Sequence, residues 1–425
     1  MSGLRFLMLT TFYPPFNFGG DGIGIQRLSR GLVKRGHHVT VVHDTDAYTL
    51  LQTGPLPDVP DHDDDEGVEV IRLRSGVPMT SALLTQQFGR PVVNGERIRE
   101  IVDQGRYDVV NFHNISLIGG PGLLSYGNGA VTLYMAHEHW LVCPMHVLWR
   151  HGRELCVGRE CIKCSLSYRR PPQLWRYSGY LESEIANVDT VIAMSAFSRD
   201  KHREFGFKRD MEVLPYFLPD PESAAPPQPS GASPNARPYF FFAGRLERIK
   251  GLDDVIPVFR DFPGADLVIA GDGTHAAQLR ALAAGLPNVR FLGRIGPEEL
   301  RRYYQHAIAL VVPSECYETF GIVLIESFRQ GTPVLARRLG PFPEIVSVSG
   351  GGELFSTREE LLAAMRRLQG DPAYRASLSA SGYRAYVERW SESVVVPQYL
   401  ELVRCAAVRR GHARVMDALA TQEVA

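Results

Sequence analysis

Tyr239-Phe-Phe-Phe-Ala-Gly-Arg-Leu-Glu-Arg-Ile-Lys-Gly251 is the stretch from which the fold can be read. Its first five residues are apolar, too few for a core helix and suited to a strand covered on both faces. Gly244 ends the run, two cations follow, and residues 251–259 take up a helical period. Strand, glycine turn and helix make the repeating element of a doubly wound parallel sheet. Downstream the alternation continues, with strands predicted at 266–270, 289–293, 309–312 and 333–336 and a helix at Pro297–His306. Residues 358–404 are predicted mostly helical, with Pro397 as a kink.

Upstream, Pro219, Pro221, Pro226, Pro227, Pro229, Pro234 and Pro238 interrupt the rhythm among Ser, Ala and Gly. Such a segment extends neither a helix nor a sheet interior, so 219–238 reads as an interdomain linker. Before it the pattern recurs: strands at 4–10, 38–42, 68–73, 106–112, 130–134 and 190–194, and a helix at 23–35 whose Ile25, Leu28, Leu32 and Val33 share a face. The acidic run Asp61, Asp63, Asp64, Asp65 and Glu66 reads as a solvated loop. The fold class predicted is α/β, two Rossmann-like doubly wound domains facing across a cleft. Their boundaries are 1–218, with a Cys-rich insert at about 143–164, and 239–385, with C-terminal helices at 386–425 returning to the first domain.

Composition agrees and excludes alternatives. The chain has 425 residues, 44% hydrophobic and 22% charged, enough for two domains of ordinary size. Its 46 basic and 47 acidic residues leave a net charge of −1, without the basic excess that a global grip on nucleic acid needs. No apolar run is long enough to span a bilayer, and the first residues are too short an apolar segment for a signal peptide. Six cysteines in a chain of this length do not make a disulfide framework. A cytoplasmic protein is expected.

In parallel sheets ligands bind beyond the C-terminal strand ends. After the first strand, Gly19, Gly20, Gly22 and Gly24 lead into a helix, where amides could meet an anion; the alternative is an ordinary strand–helix turn. Arg245 and Lys250 follow the strand 239–243, two fixed cations suited to a diphosphate or else solvated surface charges. Gly271 and Gly273, after 266–270, allow close approach of a ligand to the backbone. In Val312-Pro-Ser-Glu-Cys-Tyr-Glu-Thr-Phe-Gly-Ile-Val-Leu-Ile-Glu-Ser327, Glu318 precedes Phe320-Gly321 and Glu326 lies about one turn inside the next helix. The amides of Gly321, Ile322 and Val323 would face a phosphate, and the carboxylates would accept from sugar or ribose hydroxyls.

Taken in order, Gly244-Arg-Leu-x-x-x-Lys-Gly251, Ala270-Gly-Asp-Gly273, Val289-Arg-Phe-Leu-Gly293 and Pro313-Ser through Glu318-x7-Glu326 resemble family 4 retaining glycosyltransferases (glycosyltransferase group 1), of GT-B fold. Ile192-Ala-Met-Ser195, the early Gly-Gly and Arg35-Gly-His-x-Val39 extend the resemblance to the amino-terminal half. It implies a nucleoside-diphosphate-sugar donor, with Arg245 and Lys250 on its diphosphate and Glu326 on its ribose. Glu318 with the Phe320-Gly321 backbone would meet the donor sugar, Gly293 and Arg294 would lie near the base, and His137 would touch the sugar from the other domain. Transfer would retain anomeric configuration and need no metal. The Trp390 region resembles the family's crossover. A nucleotide-sugar epimerase of this fold, or a nucleotide-sugar-binding scaffold without catalysis, is the alternative. Departures include Thr319 where relatives carry glycine, Leu214-Pro-Tyr-Phe217 before the linker, and Gly340-Pro-Phe-Pro-Glu344.

Two features lie outside the resemblance. Cys143, Cys156, Cys161 and Cys164 fall within 22 positions, which suits a tetrahedral structural Zn²⁺ site or four buried thiols. His137, His139, His146 and His151 are further ligand candidates, and a Cys143–His137 nucleophile pair is the least supported reading. Between residues 145 and 180, Arg150, Arg153, Arg159, Lys163, Arg169, Arg170 and Arg176 oppose only Glu154 and Glu160. This local excess predicts an anionic acceptor or peripheral attachment to an acidic membrane face.

Overall fold

The computed structural model describes residues 3–52, 54–127, 129–229 and 231–420. The chain divides into two compact units, Met1–Tyr216 with Val395–Ala425, and Phe217–Val394.

The strands of the first unit are β1 (Arg5–Thr10), β2 (His38–Asp44), β3 (His62–Asp65), β4 (Val68–Leu73), β5 (Val109–Phe112), β6 (Val131–Ala136), β7 (Trp149–Arg150), β8 (Glu154–Leu155), β9 (Thr190–Ala193) and β10 (Glu212–Val213). Eight of them form one sheet in the order β10-β9-β6-β5-β1-β2-β4-β3, and β7 and β8 pair separately. Every pairing in the large sheet is parallel except β3 with β4. The chain winds from β1 through β2 to one edge, then returns to β5 on the other side of β1. That reversal makes a topological switch point between β1 and β5.

The acidic run expected as a loop is instead the edge strand β3. Its carboxylates find partners: Tyr13 Oη and Gln26 Nε2 donate to Asp65 at 2.8 and 2.9 Å, and Arg30 pairs with the same group. Charged residues on an exposed edge also discourage further strand pairing.

The second unit contains β11 (Tyr239–Ala243), β12 (Asp266–Ala270), β13 (Val289–Gly293), β14 (Leu310–Val312), β15 (Val334–Arg337) and β16 (Gly352–Phe355), in the order β13-β12-β11-β14-β15-β16. All pairings are parallel. Alternation in the opening strand sets its two faces. Phe240 and Phe242 join Leu267, Ile269, Val311, Leu335 and Met365 in one apolar cluster. Phe241 points the other way and stacks on Tyr303, ring centroids 5.6 Å apart. Burial on both faces is why the strand carries no polar residue.

The helix expected at 251–259 is broken into Leu252–Val255 and the 3-10 turn Ile256–Arg260. Pro257 has no N–H for the α-helical bond, which ends the first piece. The proline-rich segment is laid along the second unit: Tyr383 Oη donates to the Ser223 carbonyl at 2.5 Å, and Asn235 Nδ2 to Asp266 at 2.9 Å. The helix Glu392–Arg410 contains Pro397, and residues from Val395 onward belong to the first unit. There Tyr399 Oη accepts from Asn111 Nδ2 at 3.1 Å, and Arg409 donates to Thr190 at 2.6 Å. Among the described residues no helix is long and apolar enough to cross a membrane.

Candidate active site

In the second unit the winding reverses between β11 and β14, and the candidate residues lie at the C-terminal ends of the strands around that point. Arg245 and Lys250 follow β11, Gly271 follows β12, Gly293 ends β13 beside Arg294, and Glu318 to Glu326 follow β14. The turns are shaped for close backbone packing. A Cβ on Gly271, at φ +133°, would stand 1.9 Å from the Gly244 carbonyl oxygen; one on Gly251, at φ +71°, would stand 2.1 Å from that of Pro313. Neither position accepts a side chain.

Lys250 Nζ donates to Glu318 Oε1 at 2.6 Å, joining the two sides of the switch point. Ser314 Oγ donates to the same oxygen at 3.1 Å. Burial alone would raise the Glu318 pKa, but the Lys250 ammonium and these two bonds override it and hold the carboxyl below its ordinary range. Burial likewise opposes the charge on Lys250, and Glu318 outweighs it and raises the ammonium's pKa. Arg245 is exposed beside this pair and adds its charge to the same field. The site is therefore a charged pair with an open guanidinium next to it.

Gly321 takes the left-handed conformation, φ 97°, as N-cap of the helix Ile322–Arg329. Ile322, Val323 and Glu326 remain partly exposed on its first turns, whereas Phe320 is buried edge-on to Trp390 with centroids 6.4 Å apart. The Phe320 ring is therefore packed in the core of the unit.

In the first unit, His137 follows β6 and His113 follows β5, neighbouring strands. His113 Nδ1 lies 2.9 Å from His137 Nε2, and His137 Nδ1 lies 2.6 Å from Tyr216 Oη. Burial lowers the His137 pKa to about 4, against a small opposing pull from Asp21. The imidazole is neutral at pH 7. Gly19 and Gly20 open the helix Gly20–Val33, whose first turn carries Asp21; Asn114 Nδ2 donates to that carboxylate at 3.1 Å. Ser314, His113 and Tyr216 escaped the sequence reading. Strand order brings His113 to His137, whereas Ser314 meets Glu318 four residues along the same loop.

These strand-end sites, on two doubly wound sheets, match two family models. Residues 18–220 match the model described as Glycosyltransferase Family 4, and residues 228–385 the one described as Glycosyl transferases group 1. The chain belongs to the group 1 glycosyltransferases. It is 28% identical to the glycogen synthase of Mycobacterium tuberculosis over 87% of each chain. It is 27% identical to the D-inositol 3-phosphate glycosyltransferase of Xylanimonas cellulosilytica, over 96% of this chain and 98% of that one. Among solved structures, sucrose-phosphate synthase from Thermosynechococcus elongatus aligns with TM-score 0.72 at 20% identity, over 96% of this chain and 100% of the other. The catalytic domain of starch synthase IV from Arabidopsis thaliana, bound to ADP and acarbose, aligns with TM-score 0.66 at 14% identity, covering 96% and 100%. The fold is accordingly GT-B, the two-Rossmann architecture of these glycosyltransferases.

The segment expected to hold zinc brings its four cysteines to one place without grouping them as ligands. Cys143, Cys156, Cys161 and Cys164 line one small cavity, yet among the described residues no three His, Cys, Asp or Glu side chains are grouped to hold a metal ion. The thiols are engaged separately: Cys156 Sγ donates to the Gly158 carbonyl and Cys164 Sγ accepts from the His151 amide, each at 3.3 Å. Burial raises the Cys143 pKa to about 11 and raises Cys156 and Cys161, so these groups stay protonated. The histidines are also committed, His146 to Glu138 at 2.6 Å and His151 to Glu160 at 3.1 Å.

The basic excess of this segment is partly spent inside the unit. Arg150 pairs with Glu154 at 2.7 Å, and Arg176 lies over the Trp140 and Trp175 rings, where burial lowers its pKa to about 10. Arg153, Arg159, Lys163, Arg169 and Arg170 are exposed.

Proposed function

We propose that this glycosyltransferase moves a sugar from a nucleoside-diphosphate donor to a hydroxyl acceptor with retention of anomeric configuration. The observation that carries the reading is the Lys250–Glu318 pair, 2.6 Å across the switch point, with Arg245 exposed beside it. Arg245 and Lys250 take the donor diphosphate, and the amides at the start of Ile322–Arg329 add the helix dipole. Glu326 accepts from the ribose hydroxyls. The bonds to the Glu318 carboxylate from Lys250 and Ser314 fall on Oε1, leaving Oε2 to accept from a donor-sugar hydroxyl. Gly271, Gly293 and Arg294 line the nucleotide, and Gly19 and Gly20 the first unit's share of the donor.

The reaction breaks the bond between the sugar's anomeric carbon and the diphosphate oxygen. A bond to the acceptor oxygen forms on the same face, and the acceptor proton passes to the departing diphosphate. The protein's part is to stabilise charge growing on that leaving group, a task for fixed cations and amides. A screen of UDP-, GDP- and ADP-sugars for protection against thermal unfolding tests the donor. Protection by at least one supports it; no protection by any overturns it.

The acceptor side is read from the exposed bases Arg153, Arg159, Lys163, Arg169 and Arg170. Among them stand Val157, Ile162, Leu166, Leu174 and Tyr177, between 44% and 74% exposed. Apolar side chains interleaved with cations suit the interfacial zone of an anionic bilayer. An acceptor held in such a membrane is the reading this surface favours over a free small molecule.

A further inference from the structure

The helix Pro78–Phe88 buries its small residues and shows its large apolar ones. Its inward positions are Ser81, Ala82 and Thr85, which are 2%, 6% and 2% exposed. Met79 and Leu83, one turn apart on the opposite face, are 69% and 47% exposed, and Phe88 at the end is 54% exposed. A helix lying between a core and water puts these classes the other way round. No residue of the helix is charged. An outward apolar face of this kind marks an interaction surface rather than an ordinary solvated one.

The charges around the helix narrow what covers it. No Asp or Glu occurs between Glu69 and Glu96, and none between Glu160 and Glu182. The fold packs these two carboxylate-free stretches together. Trp175 Nε1 donates to the Gln86 carbonyl at 2.9 Å, and Gln86 Nε2 donates to that of Pro171 at 3.0 Å. The exposed cations Arg90, Arg169 and Arg170, with exposed Leu174 and Tyr177, therefore adjoin the end of the helix. An apolar face rimmed by cations, with no carboxylate among them, complements an anionic lipid surface. Beside it lies a recess lined by Gln86, Ser116, His146, Arg170 and Gln173, next to the C-terminal end of β5, where ligands of such a sheet bind.

We propose that the outer face of Pro78–Phe88 inserts into the acyl boundary of an anionic bilayer, with Arg90, Arg169 and Arg170 at the lipid phosphates and the recess at head-group level. An acceptor whose head group stays in the membrane plane then reaches the strand ends of the first unit without leaving the lipid. This rests on the membrane reading of the acceptor side, and adds to it the element that enters the hydrocarbon. Cations alone would hold the protein at the phosphates; Met79 and Leu83 gain only if they pass beyond them.

Depth-dependent quenching tests the insertion. Trp140, Trp149, Trp175 and Trp390 are all 9% exposed or less, so the wild-type emission is the baseline for an added indole on the outer face. With phosphatidylglycerol–phosphatidylcholine vesicles brominated in the acyl chains, the extra emission of M79W should shift to the blue and be quenched, while wild-type emission changes little. Protein that sediments with these vesicles while M79W stays unquenched overturns insertion and leaves electrostatic attachment standing. Protein that does not sediment with them overturns both. M79S/L83S removes apolar area without altering charge, and should weaken vesicle binding by about tenfold or more with the salt dependence and melting temperature unchanged. Wild-type affinity in that variant counts against the helix. A wild-type dimer that M79S/L83S disperses, seen by sedimentation velocity without lipid, would make the face a contact between copies of the chain and overturn the bilayer as its occupant.

Discussion

Lys250 Nζ and Glu318 Oε1 stand 2.6 Å apart although 68 positions separate them in sequence. One hangs on the turn after β11 and the other on the turn after β14, so the pair exists only because those strands are neighbours. Its two members are about a fifth exposed, 21% and 23%, which keeps the charges coupled while leaving them within reach of a ligand.

Lys250→Ala should cost function more than fold. Removing a cation that meets charge on the leaving diphosphate is expected to lower kcat/KM by about a hundredfold or more. Glu318→Gln keeps the shape and should cost about tenfold, mainly in sugar recognition. Because the two groups form one unit, the double variant should lose less than the product of the single losses. Steady-state kinetics on the four proteins checks this; strict additivity would falsify the coupled site.

Gly251→Ala should destabilise the second unit by about 2 kcal/mol or more. The left-handed conformation alone costs an L-residue about 1 kcal/mol. The new Cβ would also stand 2.1 Å from the Pro313 carbonyl oxygen, against backbone that cannot swing away. Urea unfolding reports the loss, and a variant as stable as wild type would show that this turn is freer than its geometry.

Acid should weaken the first unit through its buried neutral histidines, against which Asp44, raised to about 8 by burial, pulls as an opposing group. Burial lowers His37 and His202 to about 4 and His43 to about 3, and holds His113 well below the ordinary 6.5. Between those values and 6.5 the unfolded chain binds protons that the folded chain refuses, so stability falls as pH drops through that window. The Lys250–Glu318 pair behaves differently. Glu318's contribution is fully present above its ordinary 4.5 and is lost only as pH falls through its depressed folded value. The Lys250 part is present below 10.5 and is lost as pH rises through its raised value. Melting temperature should therefore decline from pH 6.5 to 5; a flat profile there would contradict the buried neutral histidines.

Vesicle sedimentation distinguishes a membrane face from a merely basic one. Binding should rise with the fraction of anionic lipid and fall with salt, and K163E/R169E/R170E should weaken it by about a hundredfold or more, at about 1 kcal/mol per charge. Leu166→Ser with Leu174→Ser should weaken it too, without changing the salt dependence. Indifference to lipid charge ends this reading of the surface.

Chelation should leave the cysteine segment intact. Because, among the described residues, no three His, Cys, Asp or Glu side chains are grouped to hold a metal ion, EDTA is expected to shift the melting temperature by less than about 1 °C, whereas a structural zinc site would unfold. A large EDTA-induced drop, reversed by Zn²⁺, would restore the metal.

Much was determined by sequence alone. The strand and helix periods depend on local burial, so β4, β11, β12 and β13 lie at the positions their apolar runs predict. The motif spacing marked Arg245, Lys250, Glu318 and Glu326, since short-range order puts each beside a strand end. Failures came where local composition has two readings. The acidic run looked like loop, yet its Asp63, Asp64 and Asp65 lie in β3, where Tyr13, Gln26 and Arg30, all distant in sequence, satisfy Asp65. Four cysteines within 22 positions suit metal ligands, but spacing says nothing of which carbonyl or amide each thiol meets. Tertiary structure alone decided that Lys250 meets Glu318, and that His137 lies within hydrogen-bond distance of both His113 and Tyr216. Parallel strands joined by crossovers can adopt many orders with the same local pattern, and the order is chosen by burial over the whole sheet.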